Sequence, residues 1–183
     1  MIVAGLDVSL AKAGIAMVGD RAVTTKLESP PLKLPKGEKP SLIERSERIV
    51  KFSNRIVNFV EDFDPNLVVI EQPAYSKNTQ THDMSGVWWR VVNDLFDLGY
   101  PIAEVSPSVR PIYAVGKGSG KGTDKDAVLA AVVKRYSDFD VTGNDVADAL
   151  ILAMMGSRHL GEPLDDPMPK THTRAIDSVR WPL

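Results

Sequence analysis

Apolar and polar positions along this chain alternate in two rhythms, and the rhythm changes from segment to segment. Ile2 to Val8 is an apolar run with Asp7 near its end, Gly14 to Val18 is a second, and Arg21 to Glu28 alternates. Three such segments joined by short turns predict an antiparallel meander. Ser41 with Glu44 has the spacing of a capping box. Leu42, Ile49, Phe52, Ile56, Phe59 and Val60 then recur at helical spacing as far as Asp62. Leu67 to Ile70 is short and continuously apolar, as a central strand covered on both faces should be, and it ends in Glu71 before Gln72-Pro73 stops it. A helix is expected from about Asp83 to Leu98, a strand over Pro101–Val105, a helix over Thr123–Tyr136 and another from Asn144 to Met155. The pattern predicts an α/β fold with a mixed central sheet of about five strands flanked by helices.

The Asn144–Met155 stretch, NDVADALILAMM, organises the rest. From Val146 to Met155 every side chain is apolar except Asp148. A helix apolar on nearly all sides is a buried helix, and a lone carboxylate there is costly unless compensated. Asp145 and Asp148 are three residues apart and share one face, with Cβ atoms about 5–6 Å from each other. Asp7 and Glu71 each end a predicted buried strand, and ligands of open α/β sheets gather outside the carboxyl ends of strands. Taken singly, each acid has an ordinary alternative: Asp145 complements a helix dipole, Asp7 caps a turn, Glu71 points to water. Together the four favour a divalent cation.

At 183 residues and 20.0 kDa the chain is large enough for one cored domain, expected over residues 1–160, followed by a proline-rich tail over 161–183 with Trp181 as its anchor. The absence of cysteine excludes disulfides, thiolate zinc sites and cysteine nucleophiles. His82, His159 and His172 have no ligand-like spacing. No charge-free apolar run approaches the ~18–20 residues of a membrane span, and the N-terminus lacks a signal peptide's basic start, so a cytoplasmic protein is expected.

The net charge of −2 is uninformative until it is mapped. Ser106 to Arg135 holds six basic residues, Arg110, Lys117, Lys121, Lys125, Lys134 and Arg135, against Asp124 and Asp126. Within it, Gly116–Gly122 (GKGSGKG) leads into a helix N-terminus, a good place for phosphate, or else forms a plain exposed loop. It superficially resembles the phosphate loop of nucleotide kinases, but Val115 stands where that motif needs its first glycine. Trp88 and Trp89 are adjacent and cannot both point inward on one helix, which predicts a partner surface and a homodimer.

Placed in order, GLDVSLAKAGIAMV (5–18), LVVIEQPAYSKN (67–78), the glycine–lysine loop and NDVADALILA (144–153) resemble the RuvC-type Holliday junction resolvases of the ribonuclease H-like superfamily, with a look closer to phage-encoded members. The resemblance implies a ribonuclease H-like fold and carries the family's metal-binding catalytic acids onto Asp7, Glu71, Asp145 and Asp148. It implies two Mg²⁺ ions, with Mn²⁺ as a substitute, and DNA contacts from Tyr75, Lys77, Arg110, Lys117, Lys121 and Lys125. The family lysine falls on Lys125, or on Lys121 if the loop is gapped differently. Ala74 stands where bacterial members have an aromatic residue, with Tyr75 one place along. The implied activity is metal-dependent cleavage of branched DNA, resolving four-way junctions by symmetric nicking as a homodimer. An RNA-processing nuclease of the same superfamily and a non-catalytic junction-binding module are the alternatives. Two carboxylates ~4 Å apart repel by about 4 kcal/mol at an effective dielectric near 20. The reading therefore requires the four to share one cation-filled pocket, neither scattered nor individually tied up by arginine or lysine.

Overall fold

The computed structural model describes residues 1–73 and 80–182, with the backbone alone at 80 and 81. Five strands form one sheet: β1 (Ile2–Val8), β2 (Lys12–Gly19), β3 (Val23–Glu28), β4 (Leu67–Glu71) and β5 (Ile102–Val105), in the order β3-β2-β1-β4-β5. The first three strands pair antiparallel as the expected meander, and β4 and β5 run parallel to β1. The helices are α1 (Leu42–Glu61), α2 (Gln80–Asp97), α3 (Val109–Val115), α4 (Lys125–Arg135), α5 (Asn144–His159) and α6 (Lys170–Asp177). The capping box at Ser41 and Glu44 is formed in both directions.

Strand alternation assigns the two faces. Ala4, Leu6, Val8, Val68 and Ile70 point to one side, into a core built with Phe52, Ile56 and Val60 of α1 and Trp88, Val91 and Leu95 of α2. Val3, Leu67 and Val69 point to the other, against α5 and its neighbours α3, α4 and α6. Asp7 and Glu71 have the parity of this second set, and they lie one step beyond the Leu6–Ile70 pairing of β1 with β4. The strands therefore deliver both acids to the α5 side at the same end of the sheet.

Helix α5 can lie directly on β1 and β2 because glycine occupies the crossing points. A methyl group at Gly5 would collide with the Ala149 carbonyl oxygen, and one at Gly14 with the backbone of Asp145. From Val146 to Ser157 every α5 residue is buried. Beyond it, the chain over 161–182 packs back onto this face. Ala175 of α6 is fully buried, the Trp181 ring stacks on His159 at 4.2 Å, and Asp165 accepts hydrogen bonds from Tyr113 and Tyr136, each at 2.9 Å. No helix among the described residues is long and apolar enough to cross a membrane.

Candidate active site

Three elements carry the acids to one place. Asp7 is the last residue but one of β1, Glu71 ends β4, and Asp145 and Asp148 sit on the first turns of α5, which Gly14 lets approach the sheet. Their mutual proximity shows in their electrostatics. Burial pushes the Asp7 carboxyl up from its ordinary value to about 6; Arg110 pulls it down, Asp145 pushes it up, and Lys125 and Lys12 pull it down. Burial likewise pushes Glu71 up to about 7, against the pull of Arg110, with Asp7 adding to the rise and Lys125 opposing it.

Positive side chains are drawn into the cluster. Arg110, in the first turn of α3, places its Nε 2.8 Å from Glu71 Oε2 and its Nη1 against Asp148 Oδ1, with its side chain only 12% exposed. Its Nη2 donates to Glu71 Oε1 at 3.4 Å. Lys12 Nζ lies 2.5 Å from Asp145 Oδ2. Asp145 is thus tied individually to one lysine, contrary to the requirement drawn from the sequence, while Glu71 and Asp148 share a single guanidinium and Asp7 has no ion-pair partner among the described residues. No three acidic or histidine side chains among the described residues are grouped closely enough to hold a metal as they stand.

The cluster nevertheless has the chemistry of a hard-cation site. All four candidate donors are carboxylates, the ligands that suit Mg²⁺ and Mn²⁺. The 2.8 Å approach of Arg110 Nε to Glu71 Oε2 lacks hydrogen-bond geometry, so both atoms are buried without a hydrogen-bond partner. Asn144 Oδ1, at the start of α5, is orphaned in the same way. Buried polar atoms are normally paired, and with Lys12 taken by Asp145, the carboxylates of Asp7, Glu71 and Asp148 face a single guanidinium, an excess of negative charge that fits a divalent ion.

The basic candidates separate by position. Lys125 opens α4, and its charge acts on both Asp7 and Glu71. Lys117 and Lys121 belong to the glycine loop, where Lys117 Nζ donates to the Lys121 carbonyl oxygen. Arg110, read from the sequence as a DNA contact, lies inside the acidic cluster rather than on its rim. Tyr75 and Lys77 lie outside the described residues. Lys12 was missed, although strand alternation puts it on the same face of β2 as Gly14, beside Asp145. Of the adjacent tryptophans, Trp88 is buried and donates its indole N–H to the Glu71 carbonyl oxygen, whereas Trp89 is 56% exposed.

No protein-family model matches the sequence, and no curated protein matches it by sequence. Solved structures do match by shape. Thermus thermophilus RuvC in complex with a Holliday junction substrate superposes with a TM-score of 0.63 at 18% identity, over 92% of this chain and 99% of that one. The fold is that of RuvC. Other matches with this fold are the fowlpox virus resolvase in complex with Holliday junction DNA (TM-score 0.54, 12% identity, 87% of this chain and 99% of that one) and the yeast mitochondrial Holliday junction resolvase Ydc2 (0.51, 13%, 82% and 75%). The RuvC-like core explains why β1, β4 and α5 meet where they do: the mixed sheet brings the carboxyl ends of two adjacent parallel strands to the start of the helix that covers them.

Proposed function

We propose that this chain is a divalent-metal-dependent, structure-selective endonuclease that cleaves phosphodiester bonds in branched DNA, nicking four-way junctions symmetrically as a homodimer. What supports the reading is that β1, β4 and α5 bring Asp7, Glu71, Asp145 and Asp148 to the same end of the sheet, around Arg110 of the basic Ser106–Arg135 segment. The two matched structures solved with junction DNA support branched DNA as the substrate.

Asp7, Glu71, Asp145 and Asp148 are the residues that would hold two Mg²⁺ ions, with Mn²⁺ able to substitute. When bound, such a pair supplies Lewis acidity to an attacking water and to the departing 3′-oxygen. The protein's own residues do the rest. Burial of Asp7 and Glu71 keeps bulk water from screening the site, so charges there act at lower effective dielectric. Lys125 is the better candidate of the two lysines for neutralising the scissile phosphate, because its charge already reaches Asp7 and Glu71. Lys117 and Lys121, with Tyr75 and Lys77 on the segment after Glu71, would hold flanking backbone phosphates.

A homodimer is supported by the outer face of α2. Trp89 and Phe96, 56% and 72% exposed, lie seven residues apart on one face of this helix beside the edge strand β5. Large exposed aromatic side chains in one stripe mark an association surface, and a two-fold assembly would present two equivalent sites to two strands.

The experiment is a cleavage panel of four-way junction, fork, flap and RNA substrates with Mg²⁺, run with the wild type and Asp148→Asn. Paired nicks in the junction by the wild type, and junction binding without cleavage by the variant, support the reading. Cleavage of RNA but not of the junction transfers the site to RNA processing. Junction binding by the wild type with no metal-dependent cleavage makes the chain a non-catalytic binding module.

A further inference from the structure

Arg110 occupies an odd position for a residue that is meant to hold DNA. Its guanidinium is almost wholly enclosed, between Glu71 and Asp148, on the very oxygens the proposed metals need. It is an incomplete partner for them. Nε and Glu71 Oε2 meet without hydrogen-bond geometry, and Asp7, beside them, has no ion-pair partner among the described residues. A single positive charge cannot satisfy several buried carboxylates, but without it their repulsion would be worse.

Arg110 lies at the opposite end of α3 from the contacts that fasten the helix. The far end of α3 is fastened: Gly116 takes a left-handed conformation (φ 82°) and donates its N–H to Ile112, His172 Nδ1 lies 2.8 Å from the Tyr113 carbonyl oxygen, and Tyr113 itself is fully buried. Arg110 is in the first turn, next to Ser106-Pro107-Ser108 at the end of β5, where the helix has no side-chain N-cap bond.

We infer that Arg110 is an exchangeable counter-ion: in the metal-free protein it holds Glu71 and Asp148 together, and divalent ions displace it into the cleft, where its fork grips a backbone phosphate of the substrate. The inference rests on the nuclease reading of the site. It adds a coupling that the reading does not contain. A phosphate that draws Arg110 away vacates the carboxylates and tightens metal binding, and by reciprocity bound metal tightens DNA binding by the same factor.

Two measurements on the full chain test it. The first is Mn²⁺ binding without DNA, followed by the paramagnetic resonance of free Mn²⁺, for wild type and Arg110→Gln. Removing the competing cation should tighten Mn²⁺ binding by about tenfold, within the usual range of such couplings. The variant should melt at lower temperature than wild type in EDTA and recover in Mn²⁺, because its buried acids have lost their partner. The second measurement needs no variant: the Arg110 Nε–H resonance of the wild type should shift and broaden as Mg²⁺ is added. Equal or weaker Mn²⁺ binding by the variant, or a resonance unchanged when Mg²⁺ saturates, overturns the exchange while leaving the nuclease reading standing. A wild type that binds no divalent ion at millimolar concentration overturns the nuclease reading and the exchange with it.

Discussion

Alternate residues of β1 and β4 go to opposite faces of the sheet, and the two faces are filled by different means. The α1/α2 face is packed with bulk: Leu6, Ile15, Met17 and Ile70 from the strands against Phe52, Ile56 and Leu95. The α5 face is built for close approach, with Gly5 and Gly14 on the strands letting the helix backbone touch the sheet. Both faces are apolar inside, but the second ends in the four acids, because Asp7 and Glu71 share its parity and Asp145 and Asp148 come down onto it. Bulk gives stability that substitution can erode gradually. Close approach gives position, and positions are lost abruptly.

Metal removal should separate the faces most sharply. EDTA is expected to lower junction cleavage by more than roughly a thousandfold, since the Lewis acidity of such ions is worth several kcal/mol, while far-ultraviolet circular dichroism stays the same. On the bulky face, Ile56→Ala should lower stability by about 2–5 kcal/mol in chemical denaturation and leave Mn²⁺ affinity within experimental error of wild type. Gly5→Ala should do the reverse in proportion. Its stability cost, about 1–3 kcal/mol for overpacking against backbone, should come with a clear loss of Mn²⁺ affinity as α5 is pushed off β1. Weakened Mn²⁺ binding in Ile56→Ala, or unchanged binding in Gly5→Ala, would erase the distinction.

Much of this arrangement was legible in the chain. Alternation gave the strands, the Ser41–Glu44 box opened α1 as expected, and the all-round apolar Val146–Met155 run marked α5 as buried. What escaped notice has physical causes. Helix α3 is seven residues long and contains Pro111, so it has no periodicity to read and its sequence looks like a loop; proline in a first turn is compatible with helix because the N–H it lacks has no intrahelical partner there. Helix α6 has only Ala175 fully buried, and contacts distant in sequence hold it, with His172 Nδ1 2.8 Å from the Tyr113 carbonyl oxygen and Arg174 donating to that of Gly116. The Lys12–Asp145 pair could have been found: extending the alternation of β2 two residues back from Gly14 puts Lys12 on the α5 face. The place of Arg110 among the acids could not, because it depends on how α3 sits.

Smaller effects sharpen the picture at the site itself. Lys125→Ala should slow junction cleavage by about tenfold with little change in junction affinity, if its charge acts on the scissile phosphate. Lys121→Ala should change affinity and its salt dependence instead. Single-turnover rates at saturating enzyme distinguish the two.

The metal-free protein should also report its buried acids through pH. Asp7 and Glu71 have carboxyls raised to about 6 and about 7, from ordinary values of 3.8 and 4.5, by burial first of all. The folded state therefore binds more protons than the unfolded state across that window, and stability falls as pH rises through it. In EDTA the melting temperature should drop between pH 5 and pH 8, and Asp7→Asn with Glu71→Gln should flatten the drop. Bound Mn²⁺ should abolish it at the alkaline end.

If α5, β1 and β4 assemble the proposed metal-dependent nuclease centre, one acid of the cluster must be needed for cutting and not for binding. Single-turnover cleavage of a four-way junction in Mg²⁺ by wild type, Asp148→Asn and, as an acid remote from the cluster, Asp62→Asn tests it most directly. Asp148→Asn should bind the junction and leave it uncut, while Asp62→Asn should cut at the wild-type rate. Cleavage by Asp148→Asn at the wild-type rate would contradict it.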